Sequence, residues 1–430
     1  TQKTAGNECR MILLTQETLS HWHVVSAWTI FLASYFVFAF GRLPGTIVDR
    51  PAMAIIGAVL MFLTRILSPS DAIASVDFPT LVLLFSMMLI VASLHLAGFF
   101  DWIADRVIRH IGPRQLLPVI ILTSGILSAF LVNDIVCLFM APLILDICRQ
   151  MRLRSLPYLL ALATGSNIGS TATITGNPQN ILIGSLARIG YRDFLVHLGP
   201  VALIGLLVDW GVLWWFYQRK DAGTSMAPLD ISANEFATMH REEHPAWPLT
   251  VSATVILGFL LGYPPPLVAA AGGALLLVRR TRDPKDIYGD VDWSLLVLFL
   301  GLFLILGGAE QAGVTRQLLR AAEHLNLRNN LIFTTVVTLL SNLVSNVPAV
   351  MLLKGLVPAF PNPHKAWLLL AMSSTLAGNL TITGSVANII VVEKARRETH
   401  ISFLEYLKVG LPVTLLTIAG GLVWLAFTQQ

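Results

Sequence analysis

The segments SNIGSTATITGNPQNILI (166–183) and STLAGNLTITGSVANIIV (374–391) decide the fold of this chain. They are two copies of one motif, because the run TITG occurs in both and an asparagine follows the glycine of each run at the same spacing. Non-helical backbone is tolerated at membrane depth only where it is buried in protein or lines a cavity. The two copies therefore predict two broken helices that face a polar site; the alternative is that their small residues only let helices pack closely. The residues expected to interrupt the helices are Gly165, Gly169, Gly176, Pro178, Gly378 and Gly384.

The composition around both motifs is that of a membrane protein. Of 430 residues, 55% are hydrophobic and 13% are charged, whereas soluble domains carry about 25% charged residues. Apolar stretches of about 15 to 22 residues recur along the chain, which is the length that spans a bilayer. This composition excludes a soluble globular enzyme, a disordered protein and a nucleic-acid binder. The cysteines Cys9, Cys137 and Cys148 fit neither a metal motif nor a disulfide framework.

Single crossings and re-entrant hairpins are both predicted from the apolar stretches. The stretches 115–148 and 331–358 have polar centres and limbs of about 13 to 15 residues, which are too short to cross, so we expect two hairpins. Two short crossings in each stretch are the alternative. The single crossings are expected at 24–40, 51–67, 79–98, 156–187, 194–217, 248–262, 265–278, 293–312, 366–393 and 408–427.

Positive charges support the hairpin in the first half. Loops rich in Lys and Arg lie on the cytoplasmic side of membranes, and both flanks of the first hairpin are basic. The loop 313–330 disagrees, because the orientation places it outside although it carries arginines, and we expect an amphipathic interfacial helix there. The arginines that flank the first hairpin are Arg106, Arg109, Arg114, Arg149, Arg152 and Arg154.

The two halves of the chain match in further places. LIVASLHLAG (89–98) corresponds to LILGGAEQAG (304–313), and FLVNDIV (130–136) corresponds to LVSNVPA (343–349). Each half has five crossings, an odd number, so the second half is predicted to insert upside down. Inverted repeats with broken helices are typical of secondary transporters. The predicted divisions are an N-terminal tail at 1–23, in which 1–10 look extraneous to the fold, a first repeat at 24–217, a cytoplasmic linker at 218–247 and a second repeat at 248–430.

Ionisable residues inside a membrane are costly and are functional candidates. Asp134 lies at the tip of the first hairpin, where we expect a coupling role as proton carrier or cation ligand; a cap on local backbone amides is the alternative. Lys354 is either an internal cation in the place of a bound sodium or a side chain that extends to the outer interface. His95 and Glu310 are expected near helix ends at the interface, and Asp209 is left open.

The chain resembles the ion transporter superfamily, and within it the arsenite-efflux membrane proteins and the plant silicic-acid efflux transporters, with a citrate-transporter-like domain. The resemblance rests on VNDIVCLFMAPLILDICRQ (132–150), on LALATGSNIGSTATITGNPQNILI (160–183), on LVSNVPAVMLL (343–353) and on KAWLLLAMSSTLAGNLTITGSVANIIVVEKARR (365–397). It covers nearly the whole chain from about residue 50 onward, and GNPQN with AGNLTITGSVAN is its most specific part.

The resemblance implies an all-α, elevator-type carrier, often dimeric, in which hairpins and broken helices move against fixed helices. It implies scaffold parts at 24–112 and 248–328, and transport parts at 113–217 and 329–430. Dicarboxylate carriers of the superfamily have Ser-Asn-Thr hairpin tips, whereas this chain has Val-Asn-Asp and Ser-Asn-Val, which speaks against a two-sodium mechanism. The residues that the resemblance places at the first half-site are Asn133, Asp134, Ser166, Asn167, Thr173, Gly176, Asn177 and Asn180; those at the second are Asn346, Ser374, Asn379, Thr381, Thr383, Gly384 and Asn388. Asp134, Gly176 and Gly384, together with Lys354, are the expected ion-coupling residues, and the others are expected to bind the substrate.

An uncharged metalloid acid is the expected substrate. Arsenous and silicic acids are neutral polyhydroxyl molecules, and the Asn, Thr and Ser side chains offer the donors and acceptors that such a solute needs. We expect efflux driven by an ion gradient, of protons rather than sodium. A sodium- or proton-coupled carrier of citrate-like anions and an Na+/H+ antiporter are the alternatives. An enzyme is not expected, because the sequence shows no nucleophile–base pair or metal-ligand cluster.

The expected partners follow from this function. They are a small inorganic solute, a coupling ion (H+ or Na+), the lipid bilayer and a second copy of the chain, with no nucleic acid, no cofactor and no metal. No ATP-binding motif is present, so an ATPase could act only as a separate subunit. The expected location is the plasma (bacterial inner) membrane, as a multi-pass protein.

Overall fold

The computed structural model describes residues 22–218, 245–278, 283–322 and 325–429. Most of the predicted N-terminal tail and of the predicted linker lies outside these residues. Within them the protein is built from helices and short connections, with one isolated bridge between Arg42 and Asp49. Six helices are long and apolar enough to cross a membrane, as judged by length and composition. They are Trp22–Phe40, Phe78–Leu96, Pro113–Phe130, Tyr191–Tyr217, Trp293–Gln311 and Phe403–Thr428.

The helices of the first half begin with the long α1 and end with the long α10. The last of them continues in a π-helical turn, Trp214–Gln218. In chain order they are α1 (Trp22–Phe40), α2 (Arg50–Leu63), α3 (Pro69–Ser75), α4 (Phe78–Leu96), α5 (Phe99–His110), α6 (Pro113–Phe130), α7 (Asn133–Gln150), α8 (Leu156–Ser170), α9 (Pro178–Ala187) and α10 (Tyr191–Leu213).

The second half repeats this order of elements. Its short helix α13 corresponds to α3, and its last helix α20 corresponds to α10. In chain order the helices are α11 (Ala246–Leu260), α12 (Pro265–Val278), α13 (Pro284–Gly289), α14 (Trp293–Gln311), α15 (Val314–Ala322), α16 (Asn330–Val344), α17 (Asn346–Leu353), α18 (Pro363–Ala377), α19 (Val386–Ala395) and α20 (Phe403–Thr428).

Corresponding helices of the two halves begin in the same way. Asp77 caps α4 by accepting a hydrogen bond from the backbone N–H of Thr80, and Asp292 caps α14 by accepting one from Leu295. A side-chain acceptor at this position satisfies one of the amides that the first helical turn leaves free. The correspondence between the two halves therefore extends to the residues that cap the helices.

The stretches predicted as re-entrant hairpins are helix–turn–helix units with longer limbs than the sequence suggested. Because α6 is among the six helices long enough to cross a membrane, limb length no longer favours a re-entrant hairpin over two crossings in the first half. We use the word hairpin for the helix–turn–helix unit and tip for its connection. In the first half, α6 and α7 have 18 residues each and are joined by Leu131 and Val132. In the second half, α16 has 15 residues and α17 has 8, followed by a 3-10 segment, Lys354–Ala359. The predicted limb length of 13 to 15 residues underestimates the limbs of the first half. The reason is that Asn133 and Asp134 belong to the first turn of α7 and not to a loop.

Both predicted helix breaks are present. We define the first break as residues 171–177, between α8 and α9, and the second break as residues 378–385, between α18 and α19. Each contains a short 3-10 turn, Ile174–Gly176 or Ile382–Gly384. Two of the expected interrupting residues lie elsewhere, because Gly165 and Gly169 belong to the continuous helix α8.

An amphipathic helix follows α4 in the first half and α14 in the second half. The expected interfacial helix of the second half is α15. Its counterpart α5 was predicted as a loop, although it contains Arg106 and Arg109. In α5, Arg109 forms an ion pair with Asp105, with Nε 2.7 Å from Oδ1, and the guanidinium carbon of Arg106 lies 5.0 Å from the ring centroid of Trp102.

The corresponding helices α4 and α14 pack side by side in opposite directions. Near the end of α4, His95 Nδ1 lies 2.7 Å from Asp290 Oδ2, just before α14 begins. Near the other end, a side chain at Gly307 of α14 would collide with Ser75, just before α4 begins.

The last helices of the halves, α10 and α20, are also antiparallel neighbours. The indole Nε1 of Trp424, near the end of α20, donates to the carbonyl of His197 in the second turn of α10 at 2.9 Å. Further along, a side chain at Gly205 would meet the methyl group of Thr417. These two contacts show that α10 and α20 run in opposite directions. They also place α20 beside the broken helices.

Candidate transport site between the two breaks

The polar residues of the first break and of the helix before it are removed from solvent. Asn167 is 2% exposed, and Ser166, Thr173, Asn177 and Asn180 are fully buried. Buried polar groups are costly unless they form hydrogen bonds. The partners of these side chains therefore define what this part of the molecule can bind.

Asn167 joins the two halves of the protein. Its Nδ2 donates to Oδ1 of Asn379 at 3.0 Å and to Oδ1 of Asn388 at 2.9 Å. Its Oδ1 accepts from Nδ2 of Asn133 at 2.9 Å and from Oγ of Ser385 at 3.0 Å. We call Asn133, Asn167, Asn379 and Asn388 the asparagine cluster. The cluster links the start of α7, helix α8, the second break and helix α19.

Thr375 occupies the position in the second half that corresponds to Asn167, and it forms the matching contacts. Its Oγ1 accepts from Nδ2 of Asn177 at 3.1 Å and from Nε2 of Gln179 at 3.3 Å, and it donates to Oδ1 of Asn180 at 3.3 Å. Asn177 and Asn180 correspond to Ser385 and Asn388, the partners of Asn167. Each half thus supplies one side chain that binds the break of the other half.

Asn180 holds the first break open. Its Nδ2 donates to the carbonyl of Ser170 at 3.0 Å and to the carbonyl of Thr173 at 3.1 Å. A helix that stops leaves its last carbonyl groups without partners, and this amide satisfies two carbonyls at the break.

Asn388 does the same in the second break. Its Nδ2 donates to the carbonyls of Gly378 and Thr381, the corresponding positions, at 2.6 and 3.0 Å. Asn180 and Asn388, which the sequence placed among the substrate ligands, use their amide nitrogens to stabilise the breaks.

The glycines of the TITG runs allow the backbone to cross itself closely. A Cβ on Gly176 would lie 2.2 Å from the carbonyl oxygen of Ser170. A Cβ on Gly384 would lie 2.5 Å from Nδ2 of Asn342 and 3.0 Å from the carbonyl oxygen of Gly378. The lack of a side chain at these glycines therefore has a packing reason, besides any part in ion coupling.

The hairpin tips contact the breaks of their own halves. The hydroxyl of Thr173 donates to the carbonyl of Ala129 in the first hairpin. At the corresponding place, Oγ1 of Thr381 donates to Oδ1 of Asn342 at 2.9 Å, and Nδ2 of Asn342 donates to the carbonyl of Ala377 at 3.0 Å. The sequence did not identify Asn342, because its counterpart is Ala129, and it did not identify Thr375 either.

One oxygen at each hairpin tip has no hydrogen-bond partner among the described residues. These are the buried Oδ1 atoms of Asn133 and Asn346, which occupy corresponding positions at the start of α7 and α17. An acceptor that remains buried without a donor costs about 1–3 kcal/mol. Each tip therefore carries one buried acceptor that a hydroxyl group or a cation could satisfy.

Asp134 is half-buried at the first tip. Its carboxyl group faces the backbone N–H of Ala387 in the first turn of α19, with the carboxyl group of Asp292 also close enough to act on it. Beside it, Sγ of Cys137 lies 3.0 Å from Oγ of Ser166. The structure thus places Asp134 next to the second break, where charge on the carboxyl group can affect both halves.

Three predicted site residues lie apart from the asparagine cluster. Nζ of Lys354 forms an ion pair with Oε1 of Glu310 at 3.1 Å, at the end of α14. Oγ of Ser374 donates to the carbonyl of Ala371 in its own helix at 3.2 Å. Thr383 is exposed, and its Oγ1 lies 3.3 Å from that of Thr381. No cluster of three His, Cys, Asp or Glu side chains that could hold a metal ion occurs in the described ranges.

The two breaks differ in exposure although their sequences match. Thr173 and Thr175 of the first break are buried. Their counterparts Thr381 and Thr383 are half-buried and exposed. The structure therefore combines an enclosed first break with a second break that is open on one face.

Comparison with known proteins identifies the family of the chain. The sequence profile of the citrate transporter family, CitMHS, matches residues 35–368. The chain is 30% identical to the silicon efflux transporter LSI3 of Oryza sativa subsp. japonica, over 89% of this chain and 93% of that protein. It is 25% identical to the putative transporter arsB of Dictyostelium discoideum, over 87% of this chain and 86% of that protein.

A solved structure supports the fold. The YdaH transporter of Alcanivorax borkumensis superposes with a TM-score of 0.56 at 12% identity, over 95% of this chain and 98% of that one. The predicted resemblance to the ion transporter superfamily is confirmed. From its sequence profile, its relatives and its apolar helices, this chain is a multi-pass membrane protein that belongs to the citrate transporter family.

Proposed function

We propose that this protein is a secondary carrier that exports a small uncharged metalloid acid, silicic or arsenous acid, in exchange for protons. The observation that carries the proposal is the pair of unpartnered Oδ1 acceptors of Asn133 and Asn346 at corresponding hairpin tips. Each of them could accept a hydrogen bond from a hydroxyl group of a polyhydroxyl acid. The side chains that bond to Asn167 are all uncharged, which suits a neutral solute; they are those of Asn133, Asn379, Ser385 and Asn388.

The names of the relatives favour the same class of substrate. One relative is named a silicon efflux transporter and another is named arsB. Export of a neutral molecule against its gradient needs an energy source, and the proposal assigns the coupling to an ion gradient and to Asp134, the acidic residue at the first hairpin tip.

A citrate-like anion is the second candidate substrate, because the matching family is named for citrate. Its carboxylates would bind at the first turns of α9 and α19, where helix amides and the helix dipole favour negative charge. A bound cation at Asp134 would complete such a site.

The proposed carrier consists of two inverted repeats, and its hairpins and breaks move as an elevator against a dimeric scaffold in the plasma membrane. The antiparallel pairs α4 with α14 and α10 with α20 support the inversion, as do the matched contacts of Asn167 and Thr375. Long-range contacts also support the orientation. Arg149 donates to Glu398 at 2.6 Å, and charge assigns both to the cytoplasmic side. His364 Nε2 lies 2.7 Å from Asp193 Oδ2, and both are assigned to the outside.

Transport by purified protein in liposomes tests the substrate. We expect saturable exchange of silicic acid or arsenite, driven uphill by a pH gradient, and no exchange of citrate. Asn346→Leu removes one unpartnered acceptor at similar volume and should lower kcat/KM by roughly tenfold, the equivalent of about 1.4 kcal/mol.

Thr335→Val is the matched control, because this hydroxyl bonds only to its own helix carbonyl, at Leu331. The control should transport as the parent does. Citrate exchange without metalloid exchange would replace the proposal by the citrate carrier.

A further inference from the structure

Asp209 is a buried acid that the proposed mechanism does not use. It lies near the end of α10, is fully buried, and neither of its carboxyl oxygens has a hydrogen-bond partner within the described residues. An ionised carboxylate in such a place costs several kcal/mol unless a cation compensates it. Asp209 must therefore hold a proton or another cation.

The surroundings of Asp209 are hydroxyl groups from two other helices. The antiparallel contacts of Gly205 with Thr417 and of Gly421 with Val201 place Asp209 opposite the turn of α20 that contains Thr414. The hydroxyls of Thr414 and Tyr406 in α20 are buried and have no partner among the described residues. The hydroxyl of Thr164 in α8 is also close enough to act on Asp209, but it donates its own hydrogen bond to the carbonyl of Leu160 at 2.8 Å.

No compensating positive side chain faces this carboxyl group in the described ranges. The groups that act on Asp209 there are Thr164 from α8 and the phenol of Tyr406 from α20. Neither carries positive charge. A metal cation fits this place poorly. Hard cations such as Ca2+ need about six or more oxygen ligands. The backbone carbonyls of α10 cannot supply them, because α10 is a continuous helix in which these carbonyls already accept hydrogen bonds. A proton needs no further ligand.

Tyr406 connects Asp209 with the asparagine cluster. Its hydroxyl group is also close enough to act on Asn388, a member of the cluster, and on Cys137, which contacts Ser166. Its ring lies against Gly410, and a Cβ on this glycine would lie 2.2 Å from the carbonyl oxygen of Asn379. Tyr406 thus stands between the buried acid and the residues that link the two breaks.

We propose that Asp209 is a second proton-binding group of this carrier, separate from Asp134, and that the hydroxyl of Tyr406 links it to the asparagine cluster. The phenol keeps its own proton throughout: loss of the proton from Asp209 acts on the asparagine cluster through the electrostatic interaction between the carboxylate and the Tyr406 phenol. The bound proton exists whether or not the substrate is a metalloid acid; its part in coupling rests on the proposed function.

Infrared spectroscopy of the purified protein in lipid measures the protonation of Asp209 directly. In a variant that carries Asp134→Asn, with aspartate labelled by carbon-13, the C=O stretch of a protonated carboxyl should remain near neutral pH and shift with the label. Adding Asp209→Asn should abolish this band. The matched control is Asp193→Asn, in the same helix, whose partly exposed carboxyl group pairs with His197 and His364 and which should leave the band unchanged.

Each outcome decides the proposal. A band that survives Asp209→Asn, or no labelled band in the Asp134→Asn protein, would show that Asp209 carries no proton and would overturn it. A band that appears only when sodium is removed would make this a sodium site and would also overturn it. The labelled band in the Asp134→Asn protein gives an answer even if Asp209→Asn fails to fold.

Transport then tests the coupling. Tyr406→Phe removes the linking hydroxyl at almost unchanged volume, so it should lower the ratio of protons to substrate while exchange continues, with the infrared band of Asp209 intact. An unchanged ratio would overturn the link through Tyr406. Failure of all substrates to exchange would reject the proposed function but not the infrared result.

Discussion

Asp134 and its counterpart Val347 differ in the property that coupling requires, because only the aspartate can bind and release a proton. Its carboxyl group faces the first turn of α19, so its charge state can influence the second break. We expect Asp134→Asn to keep exchange of labelled substrate but to lose accumulation driven by a pH gradient, since the amide keeps the size and the hydrogen bonds. Transport in liposomes with and without the gradient measures this. If the variant accumulates substrate as the parent does and both need sodium, Asp134 is a sodium ligand.

Gly169 shows what a glycine in this fold is for. The sequence suggested that it interrupts a helix, whereas it lies in α8, where a Cβ would be 2.1 Å from the carbonyl oxygen of Gly125 in α6. Gly169→Ala should therefore destabilise the protein by about 1–3 kcal/mol, because backbone cannot move aside as a side chain can. Gly211→Ala is the control, since a Cβ there meets nothing within 4 Å, and it should stabilise by about 0.5–1 kcal/mol. Thermal unfolding of both variants measures the difference; equal Tm values would contradict the close packing of α6 and α8.

At the scale of elements, the end of α4 and the end of α14 each contact the hairpin of the same half. Glu310 of α14 pairs with Lys354 beyond α17. At the corresponding end of α4, the ring of His95 stacks on Phe139 of α7 with centroids 3.5 Å apart. These contacts join parts that we propose to be fixed to parts that we propose to move.

Breaking the ion pair between Glu310 and Lys354 should change the equilibrium between the two positions that we propose for the second hairpin. A partly exposed pair is worth about 0.2–1 kcal/mol, so Glu310→Lys or Lys354→Glu alone should change the transport rate by up to about fivefold. The double exchange should restore the parent rate, because it rebuilds the pair with reversed charges. A double variant that is as impaired as the single ones would show that the pair does not hold the hairpin.

At the scale of the whole molecule, the two breaks differ in exposure. Thr175 is buried and its counterpart Thr383 is exposed. In a protein without its native cysteines, we expect Thr383→Cys to react with a polar thiol reagent and Thr175→Cys to be protected. If the carrier alternates between two states, conditions that favour the other state should reverse this order. Equal labelling of the two positions under all conditions would argue against alternating access.

The proposed dimer can be tested on the exposed apolar face of α2. Ile55, Val59 and Leu63 are exposed at a spacing of four residues and form one stripe on this helix. We expect Val59→Cys to form a cross-link between two copies in the native membrane, because a moving transport part needs a fixed partner. Leu415→Cys on α20 is equally exposed but belongs to the proposed moving part, and it should stay monomeric. A protein that remains monomeric with cysteines along all of α2 would contradict a scaffold dimer on this face.

The sequence by itself determined the class of protein, the matching motifs of the two halves, the two breaks and the family. These features depend on hydropathy and on residues close together in the chain, such as the TITG runs, so they can be recognised without coordinates. The lengths of the hairpin limbs and the helix α5 were predicted wrongly, because polar residues such as Asn133 and Arg106 can lie in helical turns as well as in loops.

Only the tertiary structure decided which side chains meet. Asn167 and Asn388 are 221 positions apart, and Thr375 bonds to Asn180 across 195 positions. Such pairs form because the packing of α8, α18 and α19 brings the breaks together, and no local pattern encodes that packing. The same holds for Asp209. The sequence shows an acid in an apolar helix, whereas its burial and the lack of a hydrogen-bond partner among the described residues follow from how α10 packs on α20.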